Sequence, residues 1–231
     1  EEYKSFIGVV FTIIISSIAG LLDEKENLMP LTKLFFQFII VAVLLWSGYV
    51  IPITDTFVFN VMFTIFWIIL VINALNMFDN VDGAAGLFSL ITLTFLLIIC
   101  LFENADINFI VLISSYLGSI IIFLLYNFYP SKIFMGDIGS LQLASIISAV
   151  SIKFLWQQNN YNLFEEKIYF FLLNNIIFII IFLDVFLVTI FRLTNKKNPF
   201  IGDTNHLSHA LINITASPRV AVLILSGLTL I

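Results

Sequence analysis

Long apolar stretches separated by short polar segments run through almost the whole chain. A helix needs roughly 20 apolar residues to cross the hydrocarbon core of a bilayer. Eight stretches approach or reach this length, namely residues 5–22, 33–50, 57–78, 84–102, 107–128, 138–156, 168–191 and 217–231. No repeat or low-complexity linker divides them. The pattern predicts an all-α, polytopic membrane helical bundle of about eight transmembrane helices, with residues 1–231 forming a single membrane domain.

The composition fits a protein embedded in lipid and excludes a soluble enzyme. Hydrophobic residues make up 61% of the 231 positions and charged residues 11%, whereas about 25% of a soluble domain is charged. A chain of this length cannot bury so much apolar surface in its own core, so we expect the lipid bilayer as a partner. The net charge is −5 without a basic run, so we expect no nucleic acid. The chain starts without Met and ends within an apolar run, so we expect a fragment of a longer protein.

Basic residues divide unevenly between the two sides of the predicted bundle. The loops after odd-numbered spans share one side, and this side carries seven Lys and Arg residues against three on the other. The seven are Lys25, Lys33, Lys132, Arg192, Lys196, Lys197 and Arg219, and the three are Lys4, Lys153 and Lys167. This excess predicts that the first side faces the cytoplasm.

Polar side chains collect on the same predicted side, at the ends of spans or in the loops beside them. They are Asp23, Glu24, Asn73, Asn76, Asp79, Asp82, Asn127, Asp137, Asp203, His206 and His209. A bundle that only spans a membrane does not require acids, amides and histidines at one face. The distribution therefore predicts a functional site at the boundary between membrane and cytosol.

The densest motif, Asn73-Ala-Leu-Asn76-Met-Phe-Asp79-Asn-Val-Asp82-Gly83, closes the third span. Its polar residues recur at every third position, and a step of three residues turns an ideal α-helix by about 300°. Asn73 and Asp82 would then face opposite sides, so we expect a tightened turn or an exit from the helix near Asp79. The alternative is a solvated helix end with ordinary capping acids, although two amides inside an apolar span are costly without a role.

A second motif, Phe134-Met-Gly-Asp137-Ile-Gly-Ser140, opens the sixth span. Backbone N–H groups at a helix N-terminus favour a phosphate, and an acid there can hold a cation against it. Asp137 is therefore a candidate metal ligand, with a simple N-cap as the alternative. Asp23 and Glu24 end the first span, either as acids of the same site or as solvated charges.

The two histidines and one acid within a span complete the candidate groups. His206 and His209 are three residues apart. They either bind a diphosphate or lie on the surface without a role. A zinc site would need further ligands that the neighbouring sequence lacks. Asp184 lies in the middle of a span, and we expect a structural carboxylate that faces the bundle and finds a partner there.

These motifs resemble those of the polyprenyl-phosphate N-acetylhexosamine-1-phosphate transferases, the superfamily of bacterial MraY and WecA. Asn73–Leu87 is similar to the family signature Asn-x-x-Asn-x-x-Asp-Gly-x-Asp-Gly-Leu, and Phe134–Ser140 to its Phe-Met-Gly-Asp-x-Gly-Ser. Leu22–Lys33 resembles its Asp-Asp-x-x-x-Leu-x-x-x-x-Lys segment. His206–His209 resembles its histidine-rich loop, and Pro199–Leu211 resembles the WecA branch in particular. The resemblance implies that the first spans of the family are missing here.

The chain departs from the family pattern at several positions. Glu24 stands in place of the second Asp, Asn80 in place of the first Gly, and Ala84-Ala85 is inserted before the signature ends. Ser208 replaces one His, and Thr204 stands where an Arg is common. Every metal-capable acid of the pattern is still represented.

The resemblance implies an enzyme that transfers a sugar 1-phosphate, GlcNAc-1-phosphate by default, from a UDP-sugar to undecaprenyl phosphate and releases UMP. This would be the first membrane step of a cell-envelope glycan, at the cytoplasmic face of the bacterial inner membrane. The implied cofactor is Mg²⁺, with Mn²⁺ as the alternative ion, and a homodimer stays open. The implied catalytic residues are Asp23, Glu24, Asp79, His206 and His209, the metal ligands Asp137 and Asn76, and the substrate-binding residues Asn73, Asp82, Asn127, Phe134 and Lys33.

Two other functions stay open on the sequence. A polytopic transporter would also carry acids near its spans, but it would place them near mid-membrane on broken helices, where only Asp184 lies. A catalytically weakened member of the family is the second alternative, because Glu24 and Ser208 depart from its pattern.

Overall fold

The computed structural model describes residues 2–157, 164–196 and 206–229, and every regular element in these ranges is helical. The α-helices are α1 (Glu2–Glu26), α2 (Pro30–Trp46), α3 (Phe57–Phe78), α4 (Ala84–Phe102), α5 (Ile107–Asn127), α6 (Gly136–Ser151), α7 (Phe164–Thr194), α8 (Leu207–Thr215) and α9 (Pro218–Leu228). A π-helical turn, Ile152–Trp156, extends α6. The prediction of an all-α bundle is confirmed over the described ranges.

Six of these helices are long and apolar enough to cross a membrane. They are α1, α3, α4, α5, α6 with its π-helical turn, and the Asn175–Thr194 part of α7. The predicted span 33–50 instead contains the shorter helix α2 with 17 residues, and the stretch 217–231, which we expect to be truncated, contains α9 with 11 residues. At 1.5 Å per residue α2 is about 25 Å long, because the chain turns away at Gly48, where φ is +92°. Helix α8 forms where the sequence predicted only a loop.

The outer surface of the bundle is apolar along the spans. Large exposed side chains include Phe11, Phe66, Ile98, Leu125 and Phe186, each on a different long helix. A water-soluble monomer rarely exposes apolar side chains on this scale. This surface is what lipid would cover, so the chain is a multi-pass membrane protein.

Helix α1 packs more closely against α6 than against any other described helix. Many of the buried residues of both helices are small, namely Gly8, Thr12, Ser16 and Gly20 on α1, and Ser140, Ala144, Ser148 and Ser151 on α6. Two of the contacts between the helices join Gly20 to Ile138 and Ser17 to Gln142. Such positions let two helix backbones approach closely in a membrane, where van der Waals packing replaces the hydrophobic effect.

The tightest point of this contact is at Gly20. A Cβ atom at this position would lie 2.5 Å from the Ile138 Cα atom and 2.6 Å from its backbone nitrogen. Both neighbours are backbone atoms, so no side-chain rotation could make room. Gly20 therefore fixes how closely the end of α1 that carries Asp23 approaches the first turn of α6.

We expect Gly20→Ala to lower the free energy of unfolding by about 1–3 kcal/mol, the usual cost of an added methyl group in a full interface. Gly118→Ala is the matched control, because Gly118 lies within α5 and nothing within 4 Å would meet its Cβ atom. Thermal unfolding in detergent measures both variants. Equal melting temperatures for the two variants would contradict the close approach at Gly20.

Candidate functional site

A cavity of about 710 Å³ opens at the ends of α1, α3 and α6, on the side predicted to be cytoplasmic. It brings together nine of the twelve candidate residues from four separate parts of the sequence. They are Asp23, Glu24, Lys33, Asn76, Asp79, Asp82, Asn127, Phe134 and Asp137. Whether these residues catalyse or bind stays a prediction, but their convergence on one cavity is a property of the fold.

The exit of the chain from α3 delivers three polar residues of the densest motif to this cavity. Helix α3 ends at Phe78, and the N–H of the capping residue Asp79 donates to the Leu75 carbonyl. The predicted exit near Asp79 is confirmed. Since the loop turns at Asp79, Asp82 joins Asn76 and Asp79 in the cavity instead of facing the opposite side.

The loop after α3 is held by Asn127, which is almost completely buried. Its Oδ1 atom accepts a hydrogen bond from the Gly83 backbone N–H at 2.9 Å, and its Nδ2 atom donates to the Ile133 carbonyl at 2.8 Å. Gly83 has φ of +83° and begins α4. Asn127 thus ties the loops on both sides of the cavity together, while one edge of it still lines the cavity.

Asp137 stands in the first turn of α6, with its carboxylate turned toward α3 rather than over its own helix end. Asn76 Nδ2 donates to Asp137 Oδ1 at 2.6 Å and to Ser140 Oγ at 2.9 Å. The alternative of a simple N-cap is wrong, because the capping position is Met135 and the Asp137 carboxylate accepts from the Asn76 side chain. Asn76 therefore fixes the orientation of Asp137.

Lys33 joins the two acids that end α1 and begin α6. Its ammonium group forms an ion pair with Asp23, and its Nζ atom lies 3.7 Å from Asp137 Oδ2. The carboxyl groups of Asp23 and Asp137 also interact directly with each other. Asp23 is 5% exposed and accepts from the Leu28 backbone N–H at 3.0 Å, so it is held in place from both sides.

Glu24 covers the start of α6. Its Oε1 atom accepts from the Ile138 backbone N–H at 3.4 Å, and its carboxylate lies directly against Gly136, where a Cβ atom would collide with it. Gly136 has φ of +63°, a conformation that favours glycine. An acid at a helix N-terminus is favoured by the unpaired N–H groups there. Glu24, which is one methylene longer than the Asp of the family pattern, makes this contact with the start of α6.

Asp79 carries the strongest electrostatic perturbation among the loop residues of the cavity. Burial raises the pKa of the Asp79 carboxyl group to about 7, and repulsion from Asp137 and then from Asp82 adds to this effect. Lys33 partly neutralises Asp23 and Asp137, and no hydrogen bond reaches the Asp79 carboxylate within the described residues. The cavity therefore holds an excess of negative charge that a bound cation would relieve.

Three candidate residues do not line this cavity. Asn73 exchanges two hydrogen bonds with Gln37, at 3.0 and 3.1 Å, and borders a separate smaller cavity of about 30 Å³. His206 is 5% exposed and its Nδ1 atom lies 2.7 Å from Asp184 Oδ2, while the His209 ring is 6.5 Å from the His206 ring. Asp184 thus has the expected partner inside the bundle, and that partner is a histidine.

The segment that carries the histidines reaches the rim of the cavity at one point. Ser208 Oγ donates to Asn80 Oδ1 at 2.5 Å, and Asn80 lines the cavity. These two residues are both departures from the family pattern, and the fold brings them into contact. Asp203, Thr204 and the rest of 197–205 lie outside the described residues.

Sequence reasoning missed Gln37, Ser140 and the partner of Asp184. Gln37 lies one turn after Lys33 on α2, so helical spacing alone places it on the same face. Ser140 lies within the quoted Phe134–Ser140 motif, three residues after Asp137. No local pattern indicated that Asp184 and His206 would meet, because they are 22 residues apart and belong to different helical segments.

Comparisons with known proteins match most of the chain. The family described as Glycosyl transferase family 4 matches residues 6–155. A probable undecaprenyl-phosphate N-acetylglucosaminyl 1-phosphate transferase of Bacillus subtilis is 30% identical over 220 residues, which cover 90% of this chain and 58% of that protein. A phospho-N-acetylmuramoyl-pentapeptide-transferase of Streptococcus thermophilus (strain CNRZ 1066) is 29% identical over 171 residues, or 66% of this chain and 50% of that protein. The chain spans about half the length of the curated relatives it matches.

The raised pKa of Asp79 predicts a particular dependence of stability on pH. Because the folded pKa of about 7 exceeds the ordinary value of 3.8, the folded protein binds the proton more tightly than the unfolded chain. The stabilisation is complete below the ordinary value and is lost as the pH rises to about 7. Melting temperatures measured with a chelator should therefore fall over this range in the wild type relative to Asp79→Asn. If the difference in melting temperature between the wild type and Asp79→Asn stays the same at every pH, this result would contradict the raised pKa of Asp79.

Proposed function

Since this chain belongs to glycosyl transferase family 4, we propose that it transfers N-acetylglucosamine 1-phosphate from UDP-N-acetylglucosamine to undecaprenyl phosphate. An oxygen of the lipid phosphate attacks the β-phosphorus of the UDP-sugar, and the bond from that phosphorus to the oxygen of UMP breaks. The products are the lipid diphosphate sugar and UMP. The reaction takes place at the cytoplasmic face of the bacterial inner membrane and begins a cell-envelope glycan.

The observation that carries this proposal is the arrangement of Asp23, Lys33 and Asp137 around one cavity at the ends of apolar helices. The acceptor is a phosphate fixed to a lipid, and the donor is a nucleotide dissolved in the cytosol. Only a cavity at the membrane surface can admit both. Lys33 has a charge that suits a phosphate, and it is held between two acids that keep it in place.

Mg²⁺ fits the donor groups of this cavity. No cluster of three or more His, Cys, Asp or Glu side chains forms a ready metal site in the described ranges. Mg²⁺ commonly takes only one or two protein carboxylates and completes its shell with phosphate oxygens and water. Asp137 would be the main ligand, with Asp79 beside it and Asn76 holding Asp137 in orientation. When bound, the ion would offset the repulsion between the two phosphate groups and the developing negative charge.

The acceptor would bind at the α1 and α2 side of the cavity. Asp23 and Lys33 border both the main cavity and the smaller one, whose walls also include the apolar side chains of Phe36, Ile40 and Leu141. A phosphate with an attached isoprenoid needs this combination of charge and apolar surface. Asp23 would orient the lipid phosphate or accept its proton, and no covalent intermediate on the protein is required.

The nucleotide would bind at the opposite side, between the loops that follow α3 and α5. Phe134 is 77% exposed and offers a flat apolar face to a base at the cavity rim. Asp82 Oδ2 accepts from the Ser131 backbone N–H at 3.1 Å. Its other carboxylate oxygen can accept from the uracil N3–H. His206 and His209 would approach the diphosphate from the segment that Ser208 attaches to the rim.

A transporter is less consistent with this structure. A transport pathway would require polar groups along the middle of the bundle. Among the described spans, the acid at mid-membrane is Asp184, and its carboxylate is engaged by His206 and by the Leu207 backbone N–H. The other acids of the site lie at helix ends beside the cavity.

We expect Asp137→Asn to reduce UMP release from UDP-N-acetylglucosamine and undecaprenyl phosphate by at least about 100-fold, the scale of losing one transition-state contact. The amide replaces the anionic oxygen that would bind Mg²⁺. The assay uses the full-length protein in detergent with saturating Mg²⁺.

Asp106→Asn is the matched control for this variant. It makes the same chemical change at the start of α5, on the other side of the membrane, where Asn caps a helix as well as Asp does. We expect wild-type UMP release from it. Wild-type turnover by Asp137→Asn would remove Asp137 from the site.

A further inference from the structure

Asp184 is a carboxylate in the middle of α7 with two protein donors and almost no exposure. Its Oδ2 atom lies 2.7 Å from His206 Nδ1, and its Oδ1 atom accepts from the Leu207 backbone N–H at 2.7 Å. The Asp184 side chain is 1% exposed. Both oxygens are therefore committed to the residues that begin α8.

This arrangement selects one form of the imidazole. An ionised carboxylate only accepts hydrogen bonds, so the proton of a neutral His206 must sit on Nδ1. The Nε2 atom then keeps its lone pair and is the nitrogen left for a substrate. A carboxylate that orients a histidine through Nδ1 in this way commonly tunes the other ring nitrogen for its task.

The same first turn of α8 is attached to the cavity on its other side. Ser208 Oγ donates to Asn80 Oδ1, and Asn80 Nδ2 donates to the Met77 carbonyl at 2.9 Å. Three consecutive residues, His206 to Ser208, are therefore fixed between the buried carboxylate of α7 and the rim of the cavity. Anchoring the Leu207 backbone N–H alone would require only one neutral acceptor, whereas Asp184 also reaches the His206 ring.

We propose that Asp184 is a positioning residue that sets the tautomer and orientation of His206 and holds the α8 segment against the Asn80 rim of the cavity. The inference rests on the proposed function for its effect on turnover. Its structural part, the state of the His206 ring, can be tested without any substrate.

The first test is the ¹⁵N NMR spectrum of the histidine rings in the full-length protein in detergent. The 231 residues contain His206 and His209, and the signals that disappear in His206→Gln and in His209→Gln identify the two rings. In the neutral form, we expect His206 to carry its proton on Nδ1 in the wild type and in Asp184→Glu, which keeps both acceptor oxygens. In Asp184→Asn this preference should be lost, because an amide has one accepting oxygen for two donors. A wild-type His206 protonated on Nε2 would overturn the proposal even if Asp184→Asn failed to fold.

The second test is turnover. We expect Asp184→Asn to lower kcat for UMP release about 10- to 100-fold, as is typical when the partner of a functional ligand is lost, with a smaller change in KM for the UDP-sugar. The double variant with His206→Gln should be no more than about twofold slower than His206→Gln alone, because residues that act as a unit are not additive. Ser226→Ala, which removes a buried hydroxyl bonded only within α9, is the control and should keep wild-type turnover.

The outcomes separate this inference from the proposed function. If the wild type releases no UMP from any UDP-sugar while His206 shows the expected tautomer, the proposed function fails and the anchoring of His206 stands. If the wild type is active and Asp184→Asn keeps its kcat, the positioning role is overturned and the proposed function stands. A fully additive loss in the double variant would likewise overturn it.

Discussion

The backbones of α1 and α6 meet at Gly20 and Ile138 with no space for a single added carbon atom. Everything at the cavity depends on this approach. It places Asp23 and Glu24, one turn further along α1, against the first turn of α6, where Asp137 stands. Small buried residues recur along both helices, and they allow the two backbones to approach closely. The site is therefore a consequence of helix packing inside the membrane.

The second constraint is electrostatic. Asp23 and Asp137 both lie close to the ammonium group of Lys33. Burial raises the pKa of the neighbouring Asp79 carboxyl group, and the charge of Asp137 adds to this effect. Carboxylates gathered in this way repel one another and reduce the stability of the fold, and a bound cation would offset that repulsion. Asn76, which also donates to Ser140, holds the Asp137 carboxylate in place, so little rearrangement would be needed on binding. Asn127 likewise holds the loop that carries Asp82 in place, because it accepts a hydrogen bond from the Gly83 backbone N–H.

The sequence was sufficient to predict the helical class, five of the six long spans almost to their ends, and the exit from α3 at Asp79. It also predicted that the acids would meet on one side of the bundle. Consecutive spans return the chain to alternate sides, so the positions of the motifs along the chain decide which loops lie together. It could not predict that α2 would be short, since hydropathy does not reveal where Gly48 turns the chain. Nor could it separate Asn73, paired with Gln37, from Asn76 in the cavity, or join Asp184 to His206. Those contacts depend on how helices rotate against each other, which no local pattern contains.

The proposed reaction requires this cavity to bind a divalent cation together with the diphosphate of a UDP-sugar. Pulsed EPR of Mn²⁺ bound to the full-length protein with UDP-N-acetylglucosamine measures this directly through the coupling to ³¹P. If the diphosphate coordinates the ion directly, the spectrum of the wild type should show coupling between Mn²⁺ and phosphorus, and the spectrum of Asp137→Asn should not. Mn²⁺ that shows no phosphorus coupling, or coupling that is unchanged in Asp137→Asn, would contradict this prediction.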